Sequence, residues 1–141
     1  EETATRQRFK DVALAGVTEI DSLERLVRIR DVVREQIAWS QPFFKPTPRH
    51  PLEHDTVARW LEPLGLEELD SDTSVGELNV LDRFRFRILL ALVSRPNAEL
   101  LIVDDVDQIR DMSLRAKLLD NLYAVAEEVP VLVTSANEED R

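Results

Sequence analysis

The chain has 141 residues, 43% hydrophobic and 33% charged, with a formal net charge of −10. That balance is ordinary for a globular protein with one real core, or a core plus a small subdomain. The absence of cysteine excludes disulfides and thiolate metal sites, and the acidic balance argues against nucleic acid as the main partner, because tracking phosphates takes clustered Lys and Arg.

The opening Glu1-Glu2-Thr3 is polar and unlike a secretory leader, and the lack of an initial Met leads to the expectation of a piece of a longer protein. No apolar run approaches the roughly 20 residues of a membrane-spanning helix. Phe9 to Gly16 is a short apolar run ending at a glycine, which predicts a buried strand. Asp21 with Glu24 forms a capping-box pattern, and Leu23, Leu26, Val27, Val33 and Ile37 predict a helix running to about Trp39. Four prolines between Gln41 and Pro51 make the next stretch an extended loop. A short helix is expected over Glu53 to Leu61, followed by a polar, turn-like segment from Asp70 to Gly76.

A longer helix is predicted over Asn79 to Ser94, with Leu81, Phe84, Ile88, Leu89 and Leu92 on one face and Pro96 as its stop. Leu100 to Val103 is a continuous aliphatic run of the kind found in strands buried on both faces, and it ends in Asp104-Asp105. A helix over Ser113 to Glu128 and a buried strand over Val129 to Thr134 complete the pattern. Alternation of helix and strand at this spacing predicts an α/β fold with parallel strands.

The chemistry concentrates at Asp104 and Asp105. Ligands bind at the carboxyl ends of parallel strands, and in phosphate-transferring ATPases a strand-end acid holds Mg²⁺ while a neighbouring group orients the attacking water. The competing reading is that the two acids cap the turn that follows. His50 and His54 have no third ligand in register and are expected to be solvated loop residues rather than a metal site. Arg83, Arg85 and Arg87 are expected to spread over a solvated helix surface, with a phosphate-facing role for one of them as the alternative. Trp39, Phe43 and Phe44 flank the proline-rich loop, either anchoring it or offering a docking surface. The acidic run Glu67 to Asp72 reads as a solvated loop.

The order of these segments resembles the nucleotide-binding subunits of ABC-type ATPases over about residues 12 to 136. The segment VGELNVLDRFRFRILLALVSRP stands where that family has its LSGGQ signature and the helix leading to the Walker B strand. The alignment places the signature on Leu78, Asn79, Val80, Leu81 and Asp82. It places Walker B on Leu100 to Asp104, the D-loop aspartate on Asp111 and the switch histidine on Ser135. VRIRDVVREQ is similar to the stretch after the family's Q-loop, which would then fall near Val17 to Glu19, where no glutamine occurs.

The resemblance implies a partial P-loop NTPase core with parallel strands and an inserted α-helical subdomain. Residues 1–19 would form an N-terminal strand and Q-loop-like region, 20–80 the helical subdomain, and 81–141 the signature helix, Walker B strand, D-loop and switch strand. By the same resemblance Asp104 would carry Mg²⁺, Asp105 would orient the lytic water in place of a Glu, and Ser135 would stand at the switch. Asn79, Asp82 and Asp111 would face nucleotide. The gaps in the pattern are equally specific. Two signature glycines are replaced by Val80 and Leu81, whose side chains obstruct the approach of backbone N–H groups to a phosphate. The only glycines are Gly16, Gly65 and Gly76, and none opens a Walker A loop. ATP and Mg²⁺ are thus expected for a complete parent and not for this chain alone. The partners implied are the missing Walker A segment, a paired ATPase subunit or second copy, and a membrane permease at the inner face of the cell membrane, with no nucleic acid. A strand edge that the Walker A strand would cover is expected to be open. A non-catalytic interaction module of the same ancestry is the alternative, and a non-transport ATPase of related build stands further off.

Overall fold

The computed structural model describes residues 12–15, 26–40, 49–104 and 106–134. Three strands form one parallel sheet in the order β1-β2-β3: β1 (Val12–Ala15), β2 (Leu100–Val103) and β3 (Val131–Val133). Parallel neighbours need crossovers. The first runs through α1 (Ile29–Ser40), α2 (Asp55–Leu61) and α3 (Val80–Ser94), and the second through α4 (Met112–Ala126). The α/β class, the three strands and their parallel sense agree with the sequence pattern.

Helix α3 is the centre of the packing, touching α1, α2, α4, β1 and β2. The predicted face of Leu81, Phe84, Ile88, Leu89 and Leu92 is buried, and so are Phe86, Ala91 and Val93 on either side of it. An apolar band this broad belongs to a helix enclosed by neighbours rather than lying on a surface. The buried side chains of the helices and the sheet make one continuous cluster, from Ala13 and Ile29 through Trp60 and Phe86 to Val125.

Three expectations need correction. Residues 26–28 are not α-helical, and α1 begins only at Ile29. The backbone N–H groups of Ile29 and Arg30 donate to the carbonyls of Thr73 and Ser71, and that of Val75 donates to Val27. An antiparallel bridge pairs Arg28 with Ser74. Leu26 and Val27, counted on the helix face by periodicity, are instead exposed; the capping pair Asp21 and Glu24 lies outside the described residues, as do Phe43 and Phe44. Second, β2 is not buried on both faces: Leu101 and Val103 are buried, Leu100 and Ile102 only partly. Third, β3 is not a buried strand, since Leu132 is 50% exposed. The physical reason is shared, because full burial of a parallel sheet requires layers on both faces, and the described residues leave β3 open.

Candidate functional site

Asp104 follows β2 at its carboxyl end, in the middle of the sheet. Its backbone is fixed on the β1 side, where its N–H donates to the Ala15 carbonyl at 3.1 Å. Its side chain is fixed on the other, where the Thr134 hydroxyl donates to one carboxylate oxygen at 2.6 Å. Thr134 lies at the end of β3, and its own N–H donates to the Val103 carbonyl. The ends of all three strands therefore meet at this half-buried carboxylate. Sequence reasoning stopped at Ser135 and missed Thr134; the available signal was a hydroxyl residue ending the strand next to the acidic one. Asp105 and Ser135 lie outside the described residues, as does the predicted Q-loop position.

With one oxygen bound to Thr134, Asp104 offers the other to a cation. Mg²⁺ characteristically takes one or two carboxylates and completes its shell with water and substrate phosphates, so this donor suits a nucleotide-bound Mg²⁺. No group of three or more His, Asp or Glu side chains positioned for a metal exists among the described residues. The phosphate cradle does not fit. Gly65 adopts a left-handed φ of 71°, but a β-carbon there would meet the Arg85 guanidinium at 3.1 Å, so this glycine makes room for a side chain rather than a phosphate.

The signature-like residues are occupied by helix chemistry. Asn79 is the N-cap of α3, its side-chain oxygen accepting from the Asp82 N–H at 2.7 Å. Asp82 pairs with Arg85 at 3.0 Å. Leu81 is core, and Val80 is exposed. Asp111 is the N-cap of α4 and accepts from the Ser113 hydroxyl, the Ser113 N–H and the Leu114 N–H. The Ser113 hydroxyl, followed by those two backbone groups, holds the Asp111 carboxyl below the usual carboxylate range. Glu77 is lowered likewise, by the backbone N–H and then the hydroxyl of Ser74.

The arginines correct the expectation of a solvated face. Arg85 falls four residues after Leu81 and four before Leu89, which puts it within the buried band of α3. Its side chain is 14% exposed. Arg85 Nε donates to Asn121 Oδ1 at 2.7 Å, and Asn121 Nδ2 donates to the Pro63 carbonyl at 3.1 Å, so one polar chain ties α3, α4 and the end of α2 together. Arg83 and Arg87 share another side of the helix. With Val80, Phe84 and Gln108 they line a cavity of about 140 Å³, which brings the first turns of α3 beside the turn that follows β2. Arg83 also donates to the Leu78 carbonyl at 2.9 Å. His54 is not a merely solvated residue: its Nδ1 accepts from the Thr56 N–H and caps α2.

No protein-family model and no curated protein matches the sequence. Solved structures do match the fold. An inward-facing ABC transporter of the metal-chelate type aligns with a TM-score of 0.70 at 15% identity, over 92% of this chain and 50% of that one. A nucleotide-free ATP-binding cassette from an ABC transporter aligns at 0.66 and 16% identity, over 99% and 56%. The cbiO1 protein of Clostridium perfringens, part of the ABC transporter complex cbiONQ, aligns at 0.64 and 16% identity, over 97% and 51%. The chain spans about half the length of these structures. Among the described residues no helix is long and apolar enough to cross a membrane. The three-stranded parallel sheet and its helical crossover have the fold of about half of an ABC-transporter ATP-binding cassette.

Proposed function

We propose that the chain is the part of an ABC-type ATP-binding subunit that runs from just ahead of the Q-loop to the switch loop. In this reading the parent couples nucleotide to a membrane permease at the inner face of the cell membrane and works as a pair of ATPase subunits. Residues 1–19, 20–80 and 81–141 are its strand and Q-loop-like region, helical subdomain and signature-to-switch region. Asp104 holds the Mg²⁺ of bound ATP, Asp105 orients water with shortened reach, Ser135 stands at the switch, and Asn79, Asp82 and Asp111 face nucleotide. The missing Walker A segment supplies the phosphate cradle and covers β3, and without it this chain does not turn over ATP. The observation that carries the reading is the half-buried Asp104 carboxylate at the central strand end, fixed by the Thr134 hydroxyl.

The occupancy of the signature positions favours a second reading, a non-catalytic interaction module of the same fold. Asn79 and Asp111 are committed as N-caps, and Leu81 belongs to the core. Calorimetry of ATP·Mg²⁺ binding to this chain and to the full-length parent, each with and without Asp104→Asn, separates the two. Binding by the parent alone, weakened by Asp104→Asn only when Mg²⁺ is present, supports the ATPase part. Absence of binding in the parent overturns it in favour of the module.

A further inference from the structure

The Asp104 carboxylate sits in a frame that makes its two oxygens unequal. Thr134 is bonded through its backbone to both sides of this residue. Its N–H donates to the Val103 carbonyl at 2.9 Å, and its carbonyl accepts from the Val106 N–H at 3.4 Å. On the β1 side the Asp104 N–H is held by the Ala15 carbonyl at 3.1 Å. Within that frame the Thr134 hydroxyl reaches one carboxylate oxygen, Oδ1, at 2.6 Å. That distance is typical of a hydroxyl donating to an ionised carboxylate, a stronger bond than one between neutral groups. Threonine is also β-branched, so few rotamers are open to it and the hydroxyl stays aimed. Among the described residues, Oδ2 takes no hydrogen bond or ion pair.

One engaged oxygen and one open oxygen discriminate between cations. Mg²⁺ demands near-octahedral geometry at about 2.0–2.1 Å and is bound through one or two carboxylates, with several waters retained. Ca²⁺ takes about 6–8 oxygens at longer range and accepts both oxygens of one carboxylate. A carboxylate with one oxygen held by a hydroxyl serves the first and handicaps the second. The described residues bring no cluster of three or more acids or histidines that would complete a larger shell. We propose that Thr134 is a positioning residue that sets metal choice: by holding Oδ1 it leaves Asp104 a one-oxygen ligand and favours Mg²⁺ over Ca²⁺. This role rests on the nucleotide reading of Asp104 and goes further, by naming the residue that decides which cation accompanies the nucleotide.

Calorimetry of ATP binding to the full-length parent, with Mg²⁺ and with Ca²⁺ in turn, tests the role in Thr134→Val and Thr134→Ser. Valine keeps the branched shape and removes the hydroxyl, whereas serine keeps the hydroxyl. The preference for Mg²⁺ over Ca²⁺ should fall about fivefold in Thr134→Val, the ratio carried by one hydrogen bond of ordinary net strength. It should remain near the unaltered value in Thr134→Ser. A general loss of packing weakens binding with both cations alike and leaves the ratio where it was. An unchanged ratio in Thr134→Val, or the same fall in both variants, overturns the proposal. A second measurement needs no nucleotide: the ¹³C NMR signal of the Asp104 carboxyl in this chain should move in Thr134→Val and hold its place in Thr134→Ser. A signal unmoved in Thr134→Val overturns the clamp itself. If the unaltered parent binds ATP no better with either cation than without one, the nucleotide reading fails and the metal-selecting role goes with it. Mg²⁺-dependent binding with an unchanged ratio removes only the role of Thr134.

Discussion

The two flanks of β2 are built from the same kind of residue and meet different environments. Ala15, Val103 and Val133 stand in one row across the sheet, yet their exposures are 4%, 0% and 39%. On the β1 side α3 packs over the strand, while on the β3 side α4 makes contact but leaves a groove of about 320 Å³ lined by Leu119, Tyr123, Val131 and Val133. Tyr123 is well exposed there, and Leu132, on the opposite face of β3, is 50% exposed. Apolar side chains in a strand record what the strand needs, not what it receives. Among the described residues, α3 covers the β1 flank and the β3 flank stays open.

Truncation in the two environments gives the largest contrast. Leu101→Ala, at a fully buried position of β2, should cost about 2–5 kcal/mol in urea unfolding, whereas Leu132→Ala at the open β3 should cost less than about 1 kcal/mol. Repeating both in the full-length parent sharpens the comparison. If the absent half covers β3, the cost of Leu132→Ala rises toward that of Leu101→Ala; an unchanged small cost there would refute the covering.

Arg85→Ala should rank next, at about 2 kcal/mol, because it leaves Asn121 and Asp82 without a charged partner in a mostly enclosed place. Gly65→Ala should follow at about 1 kcal/mol, from the left-handed backbone and the approach of the Arg85 guanidinium. Since the two positions are in contact, their double variant should be less destabilised than the sum, and strict additivity in thermal unfolding would show that they do not share a constraint. The smallest effect is with acid. The lowered Asp111 carboxyl contributes stability that is fully present above its unfolded value of about 4 and is lost as pH falls through its lower folded value. Asp111→Asn keeps an N-cap acceptor and should flatten this part of the acid response of α4, followed by amide exchange at Ser113 and Leu114. A response as steep as that of the unaltered chain would move the effect to another carboxylate, such as Glu77.

Much of this was readable before the structure. The four apolar residues ending in Asp104, the helix stopped by Arg95-Pro96 and the strand before Thr134 gave the class, the strand sense and the candidate carboxylate, because strands and helices write their periods directly into the chain. The start of α1 was not readable, since hydrophobic periodicity through Leu26 and Val27 carries no trace of the backbone bonds to residues 71–75. Arg85 was expected on a solvated surface; its spacing from Leu81 and Leu89 was an overlooked signal for the buried face, and its partner Asn121 is 36 residues away.

The sequence by itself determined most of the helices and strands, that the strands run parallel, and that an acid stands at the end of the Leu100–Val103 strand. Periodicity, capping residues and prolines are local quantities, and local quantities suffice for those conclusions. Only the tertiary structure decided that Thr134 holds Asp104, that Arg85 is an internal tie rather than a surface charge, and that β3 lies open among the described residues. Each of these depends on contacts between residues far apart in sequence, and burial is a property of what packs against a residue rather than of the residue alone.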